Sequence, residues 1–170
     1  MDGLTITVEQ KDVDRMLNRL IKKLDNPKPL LKELSRYVRA LTMKMFVGRR
    51  PDNTMVRGVK WDRLKDSTLK QKRALVKRGK AVASDRPLVR TGKMRGSLKS
   101  DSAIKMQKNG FTYGTDVRSE KGFPYPGLHN KGDGKIPKRK WLFLTMDELN
   151  QMAHATKQYL DGTLVKLRAK

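Results

Sequence analysis

Apolar residues recur at Val13, Leu17, Leu20 and Leu24, a helical spacing, and Asp12 and Asp14 stand near the end of such a helix where carboxylates are favoured. The run DNPKP over 25–29 breaks this helix, and Pro29 suits the first turn of the next one. Leu30, Leu34, Val38, Leu41 and Met45 then form one apolar stripe, so the pattern predicts a helical hairpin. Ahead of it, LTITV over 4–8 alternates in polarity and reads as a short strand. Further on, AIKMQKNGFTYGTD predicts a β-hairpin about an Asn109–Gly110 type I′ turn. That register sets Ile104 opposite Thr115 and Met106 opposite Tyr113. WLFLT over 141–145 is an apolar run suited to a buried strand or to the lead-in of a helix. Thr145 and Glu148 form a T-x-x-E capping box, with Leu144 and Leu149 placed for a hydrophobic staple. Leu149, Ala153, Thr156, Leu160, Leu164 and Leu167 line one face of the last helix, which Gly162 would end early. The expected class is α+β: a small, mostly antiparallel sheet packed with an N-terminal helical hairpin and a C-terminal helix.

Charge changes this picture in the middle of the chain. Residues 44–95 hold 17 basic and 4 acidic side chains, a surplus of +13 out of a net +23 for all 170 residues. DSTLKQKRALVKRG over 66–79 fits a helix, but only Leu69, Leu75 and Val76 give it an apolar face. Residues 47–90 therefore read as a long basic inserted arm within a single domain spanning 1–170. Charge of this size opposes compaction and calls for an acidic counterpart. The hydrophobic fraction of 36% is low for a globular domain, which suits one compact domain with long polar excursions or a subunit whose core is completed by neighbours.

The candidate chemistry is thin. There is no cysteine, so disulfides, thiolate nucleophiles and Cys-ligated zinc are excluded. The two histidines, His129 and His154, belong to no metal-binding spacing, and no G-x-S-x-G elbow occurs. RTGKMRGS over 90–97 lacks the first glycine of a phosphate-binding loop and reads as a glycine turn with flanking charge. The acidic residues are scattered, unlike the clusters a metal-dependent nuclease needs. No apolar run is long enough to span a bilayer, and MDGLTITVEQ lacks the features of a signal peptide. The expectation is a protein that is not an enzyme, takes no cofactor and meets no membrane. Nucleic acid remains a candidate partner, although Phe46 and Trp61 are the only aromatics within 44–95 and give little basis for base stacking.

The order of landmarks adds to this. WDRLKDSTLKQK (61–72) precedes PLVRTGKMRGSL (87–98); the FTYGTD hairpin follows, then YPGLHNKGDGKIPKRKWLFLT (125–145) and a terminal helix. Over roughly residues 30–165 this order resembles the phage virion morphogenesis family, the tail-completion proteins of Mu-like contractile-tailed phages. The departure is PKRKWLFL, where an extra basic residue precedes the apolar run. The resemblance implies a structural virion protein that completes the tail or joins it to the head, acting in a hexameric ring with neighbouring neck and tail proteins. It implies a place at the head–tail junction or tail end, reached through the host cytoplasm during assembly. On this reading Trp61 and Leu64 anchor the start of the arm, and Arg90, Lys93 and Arg95 form a basic patch beside a glycine turn. Lys131, Lys135, Lys138 and Arg139 would meet an acidic protein or the genomic DNA in the channel. The competing expectation is a small basic cytoplasmic protein that binds nucleic acid without sequence-specific readout.

Overall fold

The computed structural model describes residues 10–46, 55–83, 85–133, 136–164 and 166–169. The expected strand at 4–8 lies outside them. The fold is α+β, rich in helix, with one two-stranded antiparallel sheet among the described residues. Helix α1 spans Gln10–Asp25 and α2 spans Lys28–Lys44, with Pro29 in the first turn of α2 as its fixed φ favours. The α2 stripe is buried as its spacing predicts, from Leu30 through Leu41 to Met45 beyond the helix end. Helix α1 behaves differently: Leu17, Ile21 and Leu24 are 50%, 54% and 65% exposed. It is tied to the last helix, α6 (Met146–Asp161), by Lys23 Nζ donating to the Tyr159 carbonyl at 2.6 Å and Tyr159 Oη donating to Asn26 O at 2.8 Å.

Helix α3 (Asp66–Lys77) and the short helix α4 (Lys93–Lys99) precede strands β1 (Ile104–Gln107) and β2 (Gly110–Tyr113). The hairpin forms, but its register is two residues away from expectation: Ile104 pairs with Tyr113 and Met106 with Phe111. The turn is Lys108–Asn109, and neither Asn109 nor Gly110 takes the positive φ that a type I′ turn requires. A shift of two keeps every side chain on its face. It also holds Tyr113 where its hydroxyl donates to Leu98 O at 3.0 Å, and burial pushes that phenol up to about 12. The paired positive φ values occur instead at Arg57 and Gly58, between Val56 and Val59, whose backbones exchange two hydrogen bonds at 3.0 Å.

One buried cluster joins Met45, Phe46, Trp61, Val89, Met94, Leu98 and Trp141. Two of these, Trp61 and Val89, come from the segment read as an extended arm. Among its described residues that segment is drawn onto the body, because its few apolar side chains are spaced to reach the same core. Trp61 also donates from Nε1 to Lys140 O at 3.0 Å. Trp141 begins the 141–145 run, which is a helix lead-in and not a strand. Its backbone partner is the side chain of Asn130, whose Oδ1 accepts from the N–H groups of Trp141 (2.8 Å) and Leu142 (3.0 Å).

The capping box at Thr145 and Glu148 is present in both directions. Gly162 ends α6 in the left-handed region. The buried face of this helix differs from the expected one: Glu148 and Ala155 are buried, whereas Ala153 is exposed, Leu149 is 43% exposed and Leu164 lies beyond the helix end. Burial of Glu148 is explained by Arg57, which donates from Nε to Oε1 at 2.7 Å and from Nη2 to Oε2 at 2.5 Å. The same guanidinium donates to Phe143 O and Leu41 O and stacks 4.2 Å from the Phe143 ring centre. That tie draws α6 towards α2 along a face the apolar pattern does not mark.

Candidate functional site

A cleft of about 890 Å³ opens between residues 62–72, 88–94, 118–121, 125–129 and 137–139. Among the described residues its lining holds eight lysines and arginines against two carboxylates, Asp62 and Glu120. Local chemistry builds each wall. The 86–92 loop turns through Leu88, which takes φ +60, a strained value for a side chain of this size, and through Gly92 at φ +77. Lys72, on α3, pins this loop by donating from Nζ to Arg86 O at 2.5 Å. Val82 N donates to Arg90 O at 2.7 Å and holds the loop from its other side.

The opposite wall is helix α5 (Tyr125–Lys131) and its return. The chain reverses at Gly132, with φ +80 and ψ 151, a conformation essentially restricted to glycine. Asp133 and Ile136 bridge across the turn, and Arg139 N comes back to donate to His129 O at 2.7 Å. A Cβ on Gly132 would stand 2.9 Å from Lys138 Cβ. Gly132→Ala should therefore cost about 1–3 kcal/mol in denaturant unfolding, and unchanged stability would show that the turn relaxes freely.

The electrostatics are layered. Arg63, Lys65, Arg90, Lys93, Arg118 and Lys121 are exposed at the rim. Lys72 and Arg139 are each only 6% exposed. Burial lowers the Lys72 ammonium from its ordinary value; Asp85 raises it, and Arg139 and Arg90 lower it further. Burial likewise lowers the Arg139 guanidinium, with Asp62 acting in the opposite sense. His129 is lowered by burial and by Arg139, which favours the neutral ring. Among the described residues, Arg139 Nε and His129 Nδ1 are buried without a hydrogen-bond partner. Tyr125 sets its ring edge-on to His129, with centroids 6.5 Å apart.

The expected site residues are thus only partly brought together. Leu64, Arg90, Lys93 and Arg139 line the cleft. Trp61 is core, and Arg95, half-buried on α4, lies outside the lining. Lys131 and Lys138 are exposed but do not line the cleft, and Lys135 lies outside the described residues. Arg139 lines the cleft from a buried position, because the return from Gly132 folds it beneath α5. Sequence reading missed Lys72, although a signal existed: it shares a helical face with Leu69 and Val76, three residues after one and four before the other.

Among the described residues no group of three or more His, Asp or Glu side chains is placed to hold a metal ion. No described helix is long and apolar enough to cross a membrane. Comparison with family models, curated proteins and solved structures finds no match to this chain. The cleft is a concave, cationic surface able to receive an anionic group.

Proposed function

We propose that this chain is a structural assembly protein of a tailed phage, one subunit of a ring that completes the tail or joins it to the head. The observation that carries the reading is the basic cleft, a concave docking surface with eight cations against two carboxylates. Most of its lining, apart from residues 118–121, comes from the segments quoted above for the resemblance, and Trp61, Val89, Met94, Leu98 and Trp141 from those segments share one core. The exposed Leu17, Ile21 and Leu24 on α1 support self-association, since a ring subunit presents apolar surface to its neighbour.

Electron microscopy of the purified protein tests this, with closed rings expected. Changing Leu17, Ile21 and Leu24 together to serine should disperse them while circular dichroism stays unchanged. Rings that persist in the triple variant would remove α1 from the interface, and absence of any assembly would count against the reading. The charge surplus favours a second reading, a monomeric nucleic-acid-binding protein. That protein would bind free duplex tightly, with affinity falling steeply as salt rises.

A further inference from the structure

We propose that the basic cleft is the receptor for an acidic, carboxylate-bearing segment of a protein partner, with Arg139 and Lys72 as its buried anchors. This deepens the assembly reading and rests on it. The first argument is depth. Arg139 and Lys72 lie below the surface, each 6% exposed, and Arg139 Nε has no hydrogen-bond partner among the described residues. A buried guanidinium is costly unless an anion and good hydrogen bonds compensate it. The nearby carboxylates do this in part: Asp62 acts on Arg139 and Asp85 on Lys72. Neither forms a salt bridge with Arg139 among the described residues, which leaves the fork of this guanidinium available to a carboxylate.

The second argument concerns shape. An Asp or Glu side chain carries its charge on a narrow stalk and suits groups that are, like these, only 6% exposed. The phosphates of a DNA duplex lie on a stiff, wide cylinder and meet a flat or convex cationic face more readily than a pit. Single-stranded nucleic acid could enter, but it binds by stacking bases on successive aromatic rings. Among the described residues Tyr125 is the one Phe, Tyr or Trp in the lining. Apolar side chains, by contrast, stand beside the cations: half-buried Leu64 and Leu88 and exposed Pro137 line the cleft, with Val89 and Met94 behind them in the core. That mixture fits a segment in which acidic and apolar residues alternate. The exposed rim cations would steer such a segment inward, and the two buried ones would hold it.

The probes are a fluorescein-labelled peptide alternating Glu with Leu, its Gln-for-Glu counterpart, and a labelled duplex, each titrated into the 170-residue protein and read by anisotropy. The Glu peptide should bind and the Gln peptide should not. Arg139→Met should weaken Glu-peptide binding by about 30-fold or more, mainly through faster dissociation, while K131Q/K138Q changes it by less than about threefold. Should R139M fail to fold, the exposed pair R90E/K93E reads the same site and should slow association. The proposal is overturned if the Glu peptide does not bind, if folded R139M or R90E/K93E binds it like the parent, or if the duplex competes it from the cleft. Rings without peptide binding would sink this inference and leave the assembly reading standing. Peptide binding by a strict monomer would do the reverse.

Discussion

Replacing Trp141 by alanine is expected to remove about 3–5 kcal/mol of stability, the range for emptying a large buried aromatic site. The indole is 3% exposed, lies 6.1 Å from the Phe46 ring at a tilted angle, and donates from Nε1 to Pro126 O at 2.9 Å. The substitution therefore deletes core volume and also leaves a buried carbonyl at the start of α5 without its donor. Domains retain only about 5–15 kcal/mol in total, so the variant should unfold on the order of 10 °C earlier. The cleft should loosen with it, because α5 carries His129 and Tyr125. Denaturant unfolding followed by tryptophan and far-ultraviolet signals makes the measurement. A loss below about 1 kcal/mol would mean that Trp141 is not the keystone of this core.

Breaking the Arg57–Glu148 pair should be nearly as damaging. Removing one member of a buried ion pair costs about 3–5 kcal/mol, because the survivor is left charged and uncompensated. Arg57→Met strands the Glu148 carboxylate, and Glu148→Gln strands a guanidinium that also holds the Phe143 and Leu41 carbonyls. The double variant R57M/E148L should recover much of either single loss, which separates a paired interaction from two independent contacts. The pair has a pH signature as well. Burial, the largest influence on Glu148, raises its carboxyl, but the Arg57 hydrogen bonds and charge together with the Thr145 contacts outweigh it and the net shift is downward. A carboxyl lowered in the folded state binds its proton more weakly there than when unfolded. Its contribution is therefore complete above the ordinary Glu value and is lost as pH falls below that value through the lowered folded one. Wild type should lose stability across this acidic window, and E148Q should lose less over the same interval. Parallel curves would contradict the assignment.

The elements whose evidence is local were legible in the sequence. The α2 stripe, Pro29, the Thr145–Glu148 box and the Gly162 stop each depend on residues within a turn or two, and they stand where the spacing puts them. The pairings that depend on distant residues were not. Asn109–Gly110 is a strong local turn signal, yet Tyr113 reaching Leu98 fixes a different register. The charge of 44–95 suggested a solvated arm because charge dominates any windowed reading. Trp61 and Val89 enter the core and Val56, Val59, Ala83 and Leu88 pack against it, so these apolar side chains bring the segment onto the body despite its solvated lysines. Arg139 illustrates the limit most sharply. In sequence it is one more cation in a basic loop, and only the reversal at Gly132 shows that it returns beneath α5. Lys72 carried a weak sign, a lysine on the apolar face of its own helix.

The proposed working mode of the chain is to assemble with copies of itself and to dock an acidic partner. Sedimentation velocity of the purified 170-residue protein over a range of concentrations, with and without duplex DNA, addresses its first half most directly. The expected result is a discrete, concentration-dependent oligomer that forms without DNA and is lost when Leu17, Ile21 and Leu24 become serine. A species that stays monomeric at every concentration, and moves only when duplex is added, would contradict it.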